Sequence, residues 1–353
     1  MKWEKVKLGN VCEITSSKRI FYSEYVDDGV PFYRSKEIIE SDEGKVIENP
    51  LYISVDKYNE IKEKFGVPQT GDMLLTSVGT IGIPYIIKKK DCFYFKDGNL
   101  TWFRDFRESL NSKYLYYWIK SSEGTGILYN TTIGSSQKAL TISALKNIKV
   151  SLPPRSVQDK IVEVVSAYDD LIENNQKQIK LLEEAAQRLY KEWFVDLRFP
   201  GHENTKIVDG VPEGWSVYPF SSKVDIMSGG TPKTSIPDYY NGKIPFYTPK
   251  DSDGAFFAYK TQMNITEGGL KNCNSRLYPP KTVIITARGT VGKTTILAVP
   301  MAMNQSCYAL KMKENDAPYY LFFALNNEIK ALQTMANGGV FNTIIGKLFF
   351  TKA

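Results

Sequence analysis

The property that most constrains this chain is that it repeats itself once. Trp3-Glu-Lys-Val-Lys-Leu-Gly near the start corresponds to Trp215-Ser-Val-Tyr-Pro-Phe further on. Val30-Pro31-Phe32-Tyr33 returns as Ile244-Pro245-Phe246-Tyr247. Leu74-Leu75-Thr76-Ser77-Val78-Gly79-Thr80-Ile81-Gly82 returns as Ile284-Ile285-Thr286-Ala287-Arg288-Gly289-Thr290-Val291-Gly292, and Lys113-Tyr-Leu-Tyr-Tyr-Trp118 as Tyr319-Tyr-Leu-Phe-Phe-Ala324. The matches keep their order at offsets of 212, 214, 210 and about 206 residues. Such a drift is what loop insertions produce. Solenoid repeats run at roughly 20–50 residues, so this period means two copies of one domain.

Within each copy, short β-rich runs alternate with clusters of Gly, Pro, Asn and Asp. Asp72-Met-Leu-Leu-Thr-Ser, Tyr85-Ile-Ile-Lys and Lys281-Thr-Val-Ile-Ile-Thr are examples. Runs of that length bounded by turn formers read as strands. One short amphipathic helix per copy is expected, over 111–121 and 317–334, which gives a mixed α+β domain.

Between the copies the pattern changes. Pro153-Pro154 ends the first, and Ser156-x-x-Asp159 starts a helix. About forty residues without Gly or Pro follow. Ile161, Val165, Tyr168, Ile172, Asn175, Ile179, Leu182, Ala186, Leu189 and Trp193 recur at alternating spacings of four and three. That is a coiled-coil seam, with Asn175 as its polar, register-setting member. At 1.5 Å per residue the segment spans roughly 58 Å. The faces away from the seam are polar, as in Glu173-Asn-Asn-Gln-Lys-Gln, which favours a strut over a helix buried in its own domain. The expected division is therefore 1–153, helix 154–195, and 196–353.

Composition excludes several function classes. His202 is the sole histidine and sits in a polar stretch, Phe199-Pro-Gly-His-Glu-Asn, so His-based nucleophile systems and His-rich metal sites lose ground. Cys12, Cys92, Cys273 and Cys307 are far apart, which argues against a zinc site or a disulfide framework. No apolar run is long enough for a membrane span and no signal peptide precedes the first copy, so the expected location is cytoplasmic. Net charge is +6. It is partitioned as +3 in 1–153, +5 in 194–353 and −2 in 155–193. If phosphate is bound, the repeated domains bind it and the helix holds them apart.

Two β-rich repeats joined by a heptad helix resemble the specificity subunits of type I restriction-modification systems. The passage Gly134-Ser-Ser-Gln-Lys-Ala-Leu-Thr-Ile-Ser-Ala-Leu-Lys-Asn-Ile-Lys-Val-Ser-Leu-Pro-Pro-Arg-Ser-Val-Gln158 is similar to that family's junction between recognition domain and spacer helix. Ser228-Gly229-Gly230-Thr231-Pro232 and the Gly-Thr-x-Gly turns at 79–82 and 289–292 are similar to family patterns too. The resemblance implies that each repeat is a target recognition domain reading one half of a split double-stranded DNA sequence. It implies that the helix sets the half-site spacing and docks modification subunits carrying S-adenosylmethionine chemistry. Restriction subunits with an ATP-driven motor and a Mg-dependent nuclease would join that core, and this chain would itself be non-catalytic. The family carries a second long helix after the second domain, whereas here the sequence runs out at Phe349-Phe-Thr-Lys-Ala353. A truncated gene, or a partner helix from another chain through self-association, would account for that. The competing reading is a non-catalytic scaffold whose two modules bind protein or glycan.

Two motifs weigh against this reading less than they first suggest. Ala287-Arg-Gly-Thr-Val-Gly-Lys-Thr294 resembles a Walker A loop, but its counterpart Ser77-Val-Gly-Thr-Ile-Gly-Ile-Pro84 has no Lys and has Pro where the hydroxyl belongs. Asn49-Pro-Leu-Tyr52 resembles the Asn-Pro-Pro-Tyr loop of adenine methyltransferases but lacks the second Pro. Lys88-Lys89-Lys90 reads equally as a phosphate contact and as a solvated turn. The expected DNA-contacting residues lie on loops rich in Lys, Arg, Ser, Thr, Gln and aromatics. In the first copy they are Lys18, Arg19, Tyr33, Arg34, Lys36, Ser77, Thr80, Ser136, Gln137 and Lys138. In the second they are Thr231, Lys233, Tyr247, Lys250, Arg288, Thr290 and Lys293. Arg34 and Arg288 are the first choices for guanine, because a guanidinium can bond O6 and N7 together.

Overall fold

The structure is a computed structural model that describes residues 3–134, 138–288, 291–314 and 316–335, with side chains to 331. The chain forms two compact units, Met1–Lys177 and Gln178–Ala353. The cut falls inside the interdomain helix, which is continuous over Arg155–Tyr190 and closes in a π-helical turn, Lys191–Val195. The helix begins directly after Pro154, a residue that cannot donate within a helix interior, and its 36 residues span about 54 Å. The expected helices near 111–121 and 317–334 are present as Ser112–Lys120 and Pro318–Met335.

The first unit is built on a four-stranded sheet, with Glu13–Thr15, Leu100–Arg104, Met73–Thr76 and Pro84–Ile86 in that lateral order. A second sheet sets Tyr25–Val26, Leu51–Ile53, Val30–Tyr33 and Tyr94–Phe95 side by side, the last pair parallel. All four residues of Met73–Thr76 are buried. Because successive side chains alternate faces, Met73 and Leu75 enter the core under the helix 112–120, with Leu115 and Ile119. Leu74 enters the opposite core, with Ile38, Phe95 and Trp102.

The second unit repeats this plan. Val224–Ser228, Cys307–Met312, Val283–Thr286 and Thr294–Leu297 take the same lateral order, extended by Phe257–Ala258. Asn264–Ile265, Tyr240–Tyr247 and Ala302–Met303 reproduce three strands of the second sheet, again with a parallel last pair. The registers correspond too: Thr76 faces Leu100, and Thr286 faces Cys307. Val283 and Ile285 pack beneath Leu321 and Leu325, while Ile284 faces the other way. The sequence repeat is thus a repeat of topology and register.

The root of the long helix is bolted to the first unit. Glu4–Lys7 pairs with Lys149–Leu152, the strand that leads into the helix. Gln158 is 0% exposed. Its side chain accepts from the Asn111 amide at 2.9 Å and donates to the carbonyls of Ser109 and Pro153, each at 2.8 Å. Tyr117 reaches further along and donates to Asp169 at 2.7 Å. Beyond that root every residue from 167 to 182 is exposed. Of the seam, Ile161 packs against the unit's core, and Val165, Ala186 and Trp193 are half-buried. Tyr168, Ile172, Ile179, Leu182 and Leu189 stand 51–69% exposed, and Asn175 is exposed as well. No described helix is long and apolar enough to cross a membrane.

Gln158→Ala removes all three of those bonds and strands a buried amide and two carbonyls. A loss of about 2–3 kcal/mol is expected in the urea unfolding of the first unit. A loss below about 0.5 kcal/mol would mean the helix root is held by packing alone.

Candidate nucleic-acid interface

In both units the turn that follows the buried strand is set by the same atoms. Thr76 is 0% exposed. Its hydroxyl oxygen accepts from the Ile83 amide at 3.0 Å, and its carbonyl from the Gly82 amide at 2.8 Å. Thr286, also 0% exposed, accepts from the Lys293 amide at 3.1 Å through its hydroxyl and from Gly292 at 2.9 Å through its carbonyl. Gly82 and Gly292 close these turns at φ +88° and +83°, a region in which a side chain is strained. The buried threonine and the glycine six residues on thus anchor a corresponding turn in each unit.

Around that turn the first unit gathers two groups of expected contacts. Val78 bridges Ala139, and the Leu140 amide bonds the Ser77 carbonyl at 2.9 Å, which brings Lys138 to the turn, where it lines one cavity with Gly79 and Ile81. Lys138 Nζ lies 3.8 Å over the Tyr129 ring, and its hydrogen bond lowers the Tyr129 phenol. A cavity of about 480 Å3 opens there, lined by Ile81, Pro84, Leu128 and Tyr129 among others. The second group surrounds the strand Tyr94–Phe95. The Lys18 amide donates to Tyr94 Oη at 2.7 Å, and Arg19 pairs with Asp97 at 2.9 Å. The Lys96 amide bonds the Tyr33 carbonyl at 2.9 Å. Asn99, one turn on, accepts from the Ser77 amide at 2.8 Å, so the loop 96–99 joins the two groups. In the second unit Asn304-Gln305-Ser306 fills that role, and Gln305 accepts from the Thr231 hydroxyl. Thr231, Lys233, Lys250, Arg288 and Lys293 are all exposed.

Against this geometry the comparisons with known proteins are decisive. The family model described as the type I restriction modification DNA specificity domain matches residues 1–184 and again 212–348. The chain belongs to that family. It is a DNA-recognition specificity subunit with two recognition domains. The specificity subunit of the type I restriction enzyme MjaIX of Methanocaldococcus jannaschii is 27% identical over 95% of this chain and 78% of its own length. The HindI specificity subunit of Haemophilus influenzae is 22% identical over 60% of each chain. In fold, the chain is similar to the crystal structure of the type I S subunit from M. genitalium. That match has a TM-score of 0.57 at 14% identity and covers 99% of this chain and 89% of the other.

Several residues expected at the surface of this specificity subunit lie elsewhere. Ser77 is 1% exposed and shares a 2.6 Å hydrogen bond with Thr101. Tyr247 is 1% exposed in the core with Met301 and Met303, and burial pushes its phenol up to about 12. Tyr33 is half-buried and stacks on Phe93 at 4.3 Å. Arg34 is turned to its own helix: it pairs with Glu37 at 2.6 Å, and that carboxylate, 2% exposed, also accepts from the Arg34 amide. Lys36 is exposed beside Glu40 at 3.6 Å. Ser136, Gln137 and Thr290 lie outside the described residues. Lys88, Lys89 and Lys90 are exposed on a turn closed by Asp91.

The structure also accounts for the two discounted motifs. Lys293 leads into the strand Thr294–Leu297 and not into a helix, and the Thr294 hydroxyl is engaged by Asn326 at 2.8 Å. A Walker A loop needs a helix N-terminus behind it and a free hydroxyl. Tyr52 belongs to the strand Leu51–Ile53 and pairs with Pro31 and Val26. The polar loop residues Asp97, Asn304 and Gln305 went unnoticed in the sequence, because Lys96-Asp-Gly-Asn99 and Asn304-Gln-Ser306 share no residue that aligns them.

The Arg34–Glu37 pair gives a measurable signature. Burial alone would raise the Glu37 carboxyl, but the guanidinium and the amide bonds hold it below its ordinary value. Its stabilising contribution is therefore present above the unfolded carboxylate pKa of about 4.3 and is lost as pH falls through the lower folded value. Arg34→Ala should cost about 1–2 kcal/mol at pH 7, less than a fully buried pair because Arg34 is 40% exposed, with the gap to the unsubstituted protein closing below about pH 4. Urea unfolding at both pH values checks this, and a gap independent of pH would contradict the pairing.

Proposed function

We propose that each unit reads one half of a split target in duplex DNA. The long helix fixes the distance between the halves and docks modification subunits. The methyl transfer, with its S-adenosylmethionine, resides on those modification subunits. ATP and Mg belong to restriction subunits that join the same core, and this chain contributes recognition without catalysis.

The observation that carries the reading is the duplicated turn. The same buried threonine, the same glycine and a connecting loop anchored by matching backbone bonds present exposed polar side chains in each unit, Lys96 in the first and Arg288, Lys293 and Gln305 in the second. Base edges are distinguished by donors and acceptors, and affinity comes from phosphate contacts. Each unit offers both kinds, and the positive charge lies in the units and not in the acidic helix. The exposed seam Tyr168, Ile172, Ile179 and Leu182 supports docking, since a row of large apolar side chains at heptad spacing is a surface for another helix.

Co-expression with the modification subunit, followed by single-molecule mapping of N6-methyladenine, tests this. The expected motif has two short defined blocks around a fixed undefined spacer. A stable complex that methylates one contiguous block would contradict reading by two units.

A further inference from the structure

The loop that joins the two contact groups recurs in both units with its ends fixed by identical backbone bonds. In the first unit the Lys96 amide bonds the Tyr33 carbonyl at 2.9 Å, and the Ser77 amide bonds the Asn99 carbonyl at 2.8 Å. In the second the Asn304 amide bonds the Tyr247 carbonyl at 3.0 Å, and the Ala287 amide bonds the Ser306 carbonyl at 2.7 Å. Tyr33 and Tyr247 are repeat equivalents, as are Ser77 and Ala287. Between these anchors each loop meets the loop that leaves the first strand of the sheet. Here the anchoring bonds agree, although the first loop is one residue longer, and the side chains differ. In the first unit Asp97 holds Arg19, and in the second Thr231 holds Gln305.

In each pair one member keeps hydrogen-bonding groups free while the other holds it. Arg19 is 69% exposed, and Asp97, 19% exposed, takes only its Nε. The two terminal amino groups have no further protein partner among the described residues. A guanidinium so held presents its remaining donors outward, the arrangement that bonds guanine O6 and N7 together. Gln305 is exposed, and its Oε1 accepts from the Thr231 hydroxyl. That fixes the amide plane and leaves Nε2 as a donor and Oε1 with a second lone pair. A Gln amide in that state bonds adenine N7 and N6 together. Either pair alone would be an ordinary surface contact of little energetic worth. Their recurrence at one repeated backbone node, with chemistry exchanged, is what distinguishes them.

We propose that this node is a base-reading position in each unit, with Arg19 oriented by Asp97 to read guanine and Gln305 oriented by Thr231 to read adenine. The proposal rests on each unit reading one half-site. It replaces Arg34 with Arg19 as the guanine reader of the first unit, because Arg34 is committed to Glu37.

The test is selection of preferred duplexes from a randomised pool by the purified full chain, followed by sequencing. The chain is compared with Arg19→Lys, Gln305→Ala and Asp97→Asn. Arg19→Lys keeps the charge and removes the fork, so overall affinity should hold within about threefold. Preference at one G·C position of one block should fall roughly tenfold to a hundredfold. Asp97→Asn should weaken the same position less. Gln305→Ala should relax one A·T position in the other block only. Variants that select the same two-block motif as the unsubstituted chain, or lose affinity equally for all sequences, would overturn the proposal while leaving the two-unit reading standing. An unsubstituted chain that selects no two-block motif would overturn both.

Discussion

The repeated turn in each unit depends on a strand buried on both faces. Met73–Thr76 and Val283–Thr286 each sit between a helix on one side and a second sheet on the other. At such a strand's end the chain must turn at once, and its last polar side chain must find a partner or stay an unsatisfied buried group. Thr76 and Thr286 resolve both demands by accepting the amide that begins the return strand. The turn is thereby pinned from inside. Its outer residues are freed from structural duty, and they can vary in side chain without moving in space. A recognition protein needs that separation of labour, because base discrimination fails once a contact drifts by more than a fraction of a hydrogen bond.

The helix follows the opposite plan. Its root is over-determined, with Gln158 making three hydrogen bonds in a fully buried position and Tyr117 tying Asp169. Its middle makes no such ties, and its apolar seam is open. At the far end Tyr190 stacks on Phe323 and Phe194 packs edge-on to Tyr320. Between those two ends the helix leaves its central apolar face open. The helix is net negative, while the repeated domains are net positive.

Much of this was legible in the sequence, and the limits are instructive. The duplication announced itself through core runs such as Leu74–Thr76 and Ile284–Thr286, since core strands tolerate few substitutions of shape. The heptad seam was legible because apolar residues held at that spacing over more than four repeats rarely arise except on a helix that packs along another. Individual contact residues were harder. Ser77 and Tyr247 are polar-capable residues beside strand ends, but alternation gives no inward or outward information when both faces are covered. Arg34 looked free because the sequence does not announce that Glu37, three residues on, is buried and in need of a cation. Gln305 was invisible, because its equivalence to Asp97 exists only in backbone hydrogen bonds.

The proposed function requires the two units to engage DNA separately through one repeated scaffold. Hydroxyl-radical footprinting of the full chain with its modification subunits, on DNA carrying its methylated motif, addresses that directly. Two protected blocks with an exposed spacer are predicted, and substitution of Lys233 and Lys250 in the second unit should open one block and leave the other protected. One continuous protected block, or the loss of both blocks from changes in one unit, would contradict it.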